Sequence, residues 1–444
     1  MGLKDDFTTF INNLEPNNIS EMETTVGKIA KKLNKSYYNL EDDTTSHMYI
    51  VGSTGRETAI KGVSDLDIIF DLPNEKYKQY DAYESNGQSA LLQEVKKALE
   101  DKYPNTDISG DGQVVVINFT KYTVELVPGF KQSDDRFKYP DSNNGGSWKY
   151  TDPLPEIEES KKTAEDTDNN FKYISNMLRA WKNKQGFKFG GLLIDTLTYK
   201  FLNEKTQFRN IAFDSYLEMT KELFSYLKDL NKEQSYWYAL GSNQQVYNCE
   251  NGKFITKADK AYKKVKDLTE ELSNVNKKLR EVFGTQFPKK QSTESRNAIS
   301  SYFEKNYKHT EEFIEDLFPV DIRYTLKIDC KITQDGFRPT LLRLLLKNSK
   351  YLKAKKELEF YIDKIEAKLE KPYEIYWKVK NEGEVAIEKD CIRGQIVKTN
   401  SPVKKESSDF KGKHYVECYI VKNGICVAKN HLEVPISNYE SFMG

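Results

Sequence analysis

Three acidic residues in two apolar segments are the strongest candidates for chemistry in this chain. Asp65 and Asp67 lie in one apolar segment, and Glu125 interrupts another, residues 122–128. Because side chains alternate along a strand, Asp65 and Asp67 are predicted to share one face while Leu66 points into a core. Two carboxylates fixed side by side repel each other and need a cation. Hard ions such as Mg²⁺ take oxygen ligands of this kind, so the pair predicts a metal site.

Glu125 is the candidate for a third metal ligand. Residues 113–119 and 122–128 read as two strands joined by a polar turn. Adjacent strands lie about 4.8 Å apart, so Glu125 would reach a metal held by Asp65 and Asp67. Two ions about 3.5–4 Å apart activate an attacking hydroxyl and stabilise a pyrophosphate leaving group. The pattern therefore favours a metal site for nucleotidyl transfer.

A Gly-Ser turn precedes the acidic pair. Gly52 and Ser53 are followed by eleven intervening residues and then by Asp65. Backbone N–H groups and a hydroxyl at the start of a helix bind phosphate, which makes Ser53 a candidate to hold a donor triphosphate. The structural alternative for Ser53 is an ordinary N-cap, and the two roles are compatible. A lone Asp-x-Asp usually marks a turn or a solvated strand edge, whereas the full set of turn, pair and later acidic strand is more specific.

These residues resemble the nucleotidyltransferase superfamily of DNA polymerase beta. Within it they are similar to the CD-NTases, the bacterial relatives of cyclic GMP-AMP synthase and oligoadenylate synthase. The resemblance covers roughly residues 1–310, and it departs from the family at Glu125, where many relatives have Asp. Either carboxylate binds Mg²⁺. The segments that carry the resemblance are Gly52-Ser-x-x-Arg-x-Thr-Ala-Ile60, Ser64-Asp-Leu-Asp-Ile68, Ser147-Trp148, Thr151-Asp-Pro153 and Leu178-Arg-Ala-Trp-Lys182.

The resemblance implies a Mg²⁺-dependent enzyme with two ions, or Mn²⁺ in their place. Its substrates would be NTPs, ATP or GTP or both, and its product a cyclic di- or oligonucleotide, with pyrophosphate released. In CBASS-type antiphage defence such a product activates a separate effector. Asp65, Asp67 and Glu125 would be both catalytic residues and metal ligands.

The resemblance also marks further nucleotide-binding candidates. Lys182 is similar to a phosphate-contacting lysine of the family, with a solvated surface lysine as its alternative. Arg56 would position the turn or a phosphate, on family position alone. Ser242, in Leu240-Gly-Ser-Asn-Gln-Gln-Val246, would hold phosphates or a base, or simply form a turn.

The last third of the chain resembles the AGS-C sensor domain, a module fused to cyclase-like and CD-NTase enzymes. Arg393 and Trp377 are the candidate sensor-ligand residues. Aromatic residues at strand spacing are more often core, which favours a core position for Trp377. Arg393 is the better ligand candidate because a buried Arg needs an anionic partner. The resemblance is carried by Pro372–Gly383, Ile392–Ile396 and Gly412–Lys422.

Composition predicts a cytoplasmic enzyme of more than one domain. The chain has 444 residues, more than the ~250–300 at which single cores stop growing. Lys+Arg and Asp+Glu are both 68, so the overall charge attracts no polyanion, and the sequence gives no reason to require nucleic acid. No apolar run approaches a membrane span, and the first residues show no signal-peptide pattern. Five cysteines without Cys-x-x-Cys pairing and four histidines give no zinc pattern.

We predict an α+β chain: a polymerase-beta-like nucleotidyltransferase core with a mixed sheet and helices, a helical lobe, and a mainly β module. The predicted boundaries are 1–160 for the core, 161–318 for the lobe, 319–437 for the AGS-C-like domain and 438–444 for a tail. Residues 131–155 are predicted to be a loop, residues 258–283 one long charged helix, and residues 289–295 a hinge.

Two other functions fit parts of this pattern. A transferase that adds nucleotides to tRNA or to a protein would use the same triad, but a more basic surface or an RNA-binding module would be expected. A ligand-sensing scaffold with a decayed transferase is disfavoured by the intact acidic set.

Overall fold

The structure is a computed structural model that describes residues 2–63, 65–290, 311–333, 338–348, 351–382, 384–388, 392–408 and 412–437. Most of the predicted hinge and the whole predicted tail lie outside these residues. The chain divides into two compact units. The first comprises Met1–Lys184 and Phe189–Pro288, and the second comprises Gln185–Lys188 and Lys289–Gly444. The four-part division predicted above stays a prediction.

The first unit contains a mixed sheet, a two-stranded hairpin and helices. The sheet has the order β1-β2-β5-β4-β3, with β6 paired to β5 and β7 paired to β6, and the hairpin is β8-β9. Only β2 and β5 are parallel among these pairs. The strands are β1 (Met48–Ile50), β2 (Asp65–Asp71), β3 (Asp107–Asp111), β4 (Val114–Asn118), β5 (Thr123–Lys131), β6 (Phe137–Asp141), β7 (Ser147–Thr151), β8 (Tyr236–Tyr238) and β9 (Gln245–Tyr247).

The helices of this unit bury one apolar face each. In α5 the predicted stripe is confirmed, since Leu91, Leu92, Val95 and Leu99 are all buried against the sheet. The helices are α1 (Leu3–Leu14), α2 (Ile19–Tyr38), α3 (Gly52–Gly55), α4 (Asn74–Asp81), α5 (Gly87–Glu100), α6 (Pro153–Asp166), α7 (Asn170–Gln185), α8 (Gly191–Glu204), α9 (Tyr216–Lys228), α10 (Lys253–Val265) and α11 (Val275–Phe283).

Two sequence predictions in this unit were wrong. Residues 131–155 were predicted to be a loop, but they contain the β6–β7 hairpin. The Asn- and Gly-rich stretch is only the turn of this hairpin, and Gly145 and Gly146 in it have φ of +90° and +91°. Residues 258–283 do not form one helix, because α10 ends at Val265 and α11 begins at Val275. Thr, Ser and Asn between them favour turns over helix.

The second unit holds two four-stranded antiparallel sheets, in the orders β11-β10-β12-β15 and β14-β13-β16-β17. The mainly β module is thus confirmed, and so is its predicted Asn423-Gly424 turn, in which both residues have positive φ. The strands are β10 (Leu326–Thr333), β11 (Thr340–Leu341), β12 (Glu357–Ile365), β13 (Glu374–Glu382), β14 (Arg393–Lys398), β15 (Val403–Ser407), β16 (Gly412–Lys422) and β17 (Ile425–Ile436). The short helices are α12 (Ile314–Leu317), α13 (Leu342–Asn348) and α14 (Glu384–Glu388).

One apolar core lies between these two sheets. Leu358 and Phe360 of β12 and Trp377 of β13 belong to it. A smaller cluster places Ile314 and Phe318 with Tyr376 of β13, so this unit includes residues before Pro319. Among the helices of the described ranges, none has the length and apolar character needed to cross a bilayer.

Candidate active site

The sheet register brings the three predicted carboxylates onto adjacent strands. In the parallel β2–β5 pair, Asp67 lies opposite Glu125 and Asp65 opposite Thr123. All three acidic residues are half-buried, whereas the alternate positions, such as Leu66, are fully buried in the core of the sheet. Alternation therefore places the carboxylates together on the other face.

The turn that begins at Gly52 packs directly against this face. Gly52 has φ of +63°, and the Val51 N–H donates to the Asp67 carbonyl at 2.9 Å. A Cβ on residue 52 would lie 1.8 Å from Asp67 Oδ2 and 2.6 Å from Asp67 Cγ. Only glycine fits there, because the Asp67 carboxylate occupies the space of a side chain and the backbone conformation is left-handed. Ser53, next in sequence, is thereby fixed beside the acidic face.

The donor set has the chemistry of a hard-metal site. Three carboxylates offer oxygen ligands, as Mg²⁺ prefers. Within the ranges that the structure describes, no three or more His, Cys, Asp or Glu side chains converge on a point where they could hold a metal ion together. Strand register fixes the Cα positions of Asp65, Asp67 and Glu125, but each carboxylate still rotates about two or three side-chain bonds. A metal site at these three residues therefore stays a prediction, based on residue type and strand register.

A buried ion network holds the segment that follows the turn. Asp195 of α8 is fully buried, and its Oδ2 accepts hydrogen bonds from Arg56 Nε and Thr58 Oγ1, both at 2.9 Å. Arg179 of α7 donates to Asp195 Oδ1 at 2.6 Å and to Oδ2 at 2.9 Å. Burial raises the pKa of Asp195, but the charges of Arg179 and Arg56 outweigh it and the pKa is lowered. Asp195 is thus a charged anchor for Arg56 and Thr58.

A second buried carboxylate, Glu156 of α6, extends this network to the turn between β8 and β9. Glu156 Oε1 accepts from Ser242 Oγ at 2.9 Å and from Gln244 Nε2 at 3.2 Å. Its Oε2 lies 3.8 Å from Arg56 Nη1. Burial raises the pKa of Glu156 above its usual value. The opposing effects of Arg56, Ser242 and Gln244 are too small to offset this rise. Arg56 and Ser242, both predicted to bind nucleotide, therefore bond to protein carboxylates, and a direct contact with nucleotide stays a prediction for each.

The β8–β9 hairpin also carries exposed aromatic rings. Tyr238 and Tyr247 are 54% and 62% exposed. Their ring centroids lie 5.4 Å and 6.0 Å, respectively, from that of Tyr236. Such a cluster offers flat surfaces beside the Ser242 turn.

Lys182 lies on α7 and is half-buried. The preceding Trp181 is fully buried against Phe224, with 5.1 Å between ring centroids, and so fixes this part of the helix. The role of Lys182 in phosphate binding stays a prediction.

The two candidate sensor residues have different surroundings. Trp377 is 1% exposed, and its Nε1 donates to the Ser401 carbonyl at 2.9 Å, so it is a core residue. Arg393 forms a two-pronged ion pair with Glu406, with Nη1–Oε2 at 2.5 Å and Nη2–Oε1 at 3.0 Å. Ligand binding by Trp377 and by Arg393 stays a prediction.

Sequence reasoning missed the carboxylate that organises the network. Asp195 stands in the apolar run Gly191-Leu-Leu-Ile-Asp-Thr-Leu197. An acidic residue that interrupts an apolar helix is the same signal that identified Glu125 in a strand, and it would have marked Asp195 as buried and paired. It would not have named Arg56 and Arg179 as the partners.

Two family models match the chain. The Second Messenger Oligonucleotide or Dinucleotide Synthetase domain, SMODS, matches residues 1–163. The Adenylyl/Guanylyl and SMODS C-terminal sensor domain, AGS-C, matches residues 308–437. A comparison with curated proteins finds no match.

Two solved structures of CdnC from Escherichia coli MS115-1 share the fold of the larger part of the chain. CdnC of Escherichia coli MS115-1 with ATP has 17% identity and a TM-score of 0.51, over 65% of this chain and 99% of that one. The complex of the same CdnC with HORMA-deltaN gives 16% identity and a TM-score of 0.50, over 64% of this chain and 98% of that one. CdnE of Rhodothermus marinus, a c-UMP-AMP synthase, has 14% identity and a TM-score of 0.43, over 61% and 99%.

The SMODS domain defines the class of this protein as a nucleotidyltransferase that synthesises oligonucleotides or dinucleotides. Residues 1–163 belong to the SMODS domain family and residues 308–437 to the AGS-C sensor domain family, the two domains expected of a CD-NTase with a C-terminal sensor. The resemblance seen in the sequence is thus confirmed.

Proposed function

We propose that this enzyme joins NTPs into a cyclic di- or oligonucleotide and releases pyrophosphate. The observation that carries the proposal is the parallel register that sets Asp67 opposite Glu125, with Asp65 two residues away on the same face. The glycine turn at Gly52 adjoins the same carboxylates. ATP, GTP or both are the proposed substrates, and the ATP-bound structure of CdnC supports this choice.

Asp65, Asp67 and Glu125 would hold Mg²⁺, as two ions, with Mn²⁺ able to replace it. When bound, such ions stabilise the charge of the phosphoryl group and lower the pKa of the acceptor hydroxyl. Gly52 keeps the backbone close to Asp67 and restricts where that carboxylate can lie. The protein thus supplies an acidic face whose backbone positions are set by the strand register.

The nucleotide would be oriented by two turns, the one that begins at Gly52 and the one between β8 and β9, which the buried Asp195 and Glu156 hold in place. Ser53 offers its N–H and hydroxyl to the donor phosphates, and Lys182 a positive charge. Arg56 and Ser242 fix the positions of the turns through Asp195 and Glu156. The exposed tyrosines of the β8–β9 hairpin offer stacking surfaces for a base.

The proposed cellular role is the one that the resemblance to the CD-NTases implies. The cyclic product would act in the cytoplasm as a second messenger that activates a separate effector in antiphage defence. The AGS-C domain would regulate the enzyme or anchor it, without taking part in the chemistry.

The test is incubation of the full-length protein with labelled NTPs and Mg²⁺, with and without RNA, followed by thin-layer and mass analysis. We expect a cyclic product that forms without RNA and disappears in EDTA. Label transferred to RNA or to the protein would instead establish the tRNA- or protein-modifying alternative. Incorporation under none of these conditions would favour the sensing scaffold.

A further inference from the structure

Polar side chains interrupt the apolar interior of the C-terminal module at one end. Asn381 of β13 lies on the same face as Trp377 and opposite His414 of β16. Glu406 of β15 lies opposite Leu358 of β12 and therefore shares the core-facing side of the other sheet. Asn381 is 9% exposed and His414 is 7% exposed. Facing positions of packed sheets are ordinarily apolar, so this polar end is an exception to the usual packing.

These side chains line a cavity of about 160 Å³ between the two sheets. Core residues such as Phe360 and Val434 form its apolar wall, and Arg393 and Ser407 join the polar wall. At ~30 Å³ for each water molecule, this space corresponds to about five waters. It is smaller than the ~300–1,000 Å³ of pockets that take drug-sized ligands, so a whole nucleotide would not be enclosed in it.

The polar wall is held in a fixed arrangement. His414 Nδ1 and Asn381 Oδ1 are 2.8 Å apart, so the imidazole donates to the amide oxygen. The Arg393–Glu406 ion pair links β14 of one sheet to β15 of the other. Arg393 has φ of +58°, a left-handed conformation that non-glycine residues rarely adopt.

The charged pair that lines the cavity, Arg393 and Glu406, carries opposite charges, which favours an uncharged ligand. Lys404, whose Nζ lies 3.3 Å from Glu406 Oε1, is not part of the lining. An anion would face the Glu406 carboxylate, and a cation would face the Arg393 guanidinium. The Asn amide and the Arg–Glu pair provide both donors and acceptors, the groups that read the edges of bases. We propose that this cavity binds a small uncharged heterocycle of the size of a free nucleobase. This inference goes beyond the transferase function and does not depend on it.

The test is calorimetry on the full-length protein with adenine, hypoxanthine, cytosine and uracil, and with their 5′-monophosphates, in EDTA to suppress metal-dependent binding elsewhere. We expect at least one base to bind with Kd below about 1 mM and its monophosphate to bind at least tenfold more weakly. Binding of no base, or a monophosphate that binds as tightly as its base, would overturn the proposal.

Matched variants place the binding site. Glu406→Gln removes the charge that repels anions, so the preference for base over monophosphate should fall about tenfold. Glu359→Gln, on the opposite face of neighbouring β12, should leave this preference unchanged. Asn381→Leu should weaken base binding at least tenfold, with folding checked by the melting temperature. Wild-type binding in folded Asn381→Leu would show that the base binds elsewhere and refute the assignment.

Discussion

Asp67 is the residue on which the proposed active site depends most. It lies opposite Glu125 across the strand pair and in contact range of the Gly52 turn. Its carboxylate is therefore constrained on two sides, while Asp65 completes the acidic face. Such constraint is what precise metal geometry requires, because misplacement of the reacting groups by about 1 Å costs ~100-fold in rate.

We predict that the double variant Asp65→Ala and Asp67→Ala makes no detectable product but remains folded. Loss of the ligands removes several kcal/mol of transition-state stabilisation, on the order of a thousandfold in rate or more. The melting temperature should stay the same or rise, because carboxylate repulsion is relieved. Glu100→Ala, at an exposed helix end, is the control. Product near the wild-type level in the double variant would exclude these residues as the metal ligands.

Substitutions at Glu125 test the proposed third metal ligand separately from the Asp65–Asp67 pair. Glu125→Gln should cut turnover at least ~100-fold while NTP binding persists, because the amide keeps the shape and loses the charge. Glu125→Asp should retain much of the activity, since either carboxylate binds Mg²⁺. Steady-state kinetics with a separate NTP-binding measurement would distinguish the two variants. Equal turnover in wild type and Glu125→Gln would mean that the third ligand is another residue.

At the scale of elements, the short helix α3 is determined by its surroundings. It has only four residues and no buried side chain of its own. The acidic face fixes its first residue, Gly52, and the Asp195 network fixes Arg56 just after its end. Tertiary contacts therefore hold the turn that we propose to bind phosphate.

Gly52→Ala should abolish activity. The added methyl group would lie within 2 Å of the Asp67 carboxylate, so the turn or the carboxylate must move, and a non-glycine residue at positive φ costs about 1 kcal/mol in addition. Gly190→Ala is a matched control, because nothing lies within 4 Å of its Cβ. Turnover and melting temperature should be measured for both. Full turnover in Gly52→Ala would show that the turn accommodates a side chain at residue 52.

Asp195→Asn should destabilise the first unit. Two buried guanidinium groups, Arg56 and Arg179, would lose their carboxylate, and breaking a buried pair costs about 3–5 kcal/mol. Denaturant unfolding measures this loss, with exposed Asp214→Asn as the control. Because the turn is released as well, the KM for NTP should rise in the folded fraction. A stability change below about 1 kcal/mol would contradict the role of Asp195 as an anchor.

At the scale of the whole molecule, elements that depend on local sequence patterns were predictable, whereas contacts between residues distant in sequence were not. Strands β2 and β5 and their carboxylates were predictable, because alternation and an interrupted apolar run are visible within a few residues. The Arg56–Asp195 pair was not, because nothing near either residue identifies the other. The β6–β7 hairpin was missed because its polar turn dominated the composition of the whole segment.

We predict that a chain ending at Pro288 folds and keeps metal-dependent product formation. The first compact unit ends there and contains every proposed catalytic residue. Product analysis and a cooperative melting curve are the measurements, and the same truncation with Asp67→Ala is the negative control. A truncated protein that melts cooperatively but makes no product would show that the C-terminal unit is required for chemistry.

The parallel pairing of β2 with β5 affects the order in which the protein folds and gains activity. Parallel partners cannot be joined by a tight turn, and here α4, α5, β3 and β4 lie between them in sequence. Contacts between distant segments close late in folding, because the chain entropy of the loop must be overcome first. A nascent chain also lacks the Asp195 anchor until α8 has left the ribosome. Catalytic competence should therefore return late when the denatured protein refolds, after its helices, and circular dichroism followed in parallel with product formation would reveal that delay.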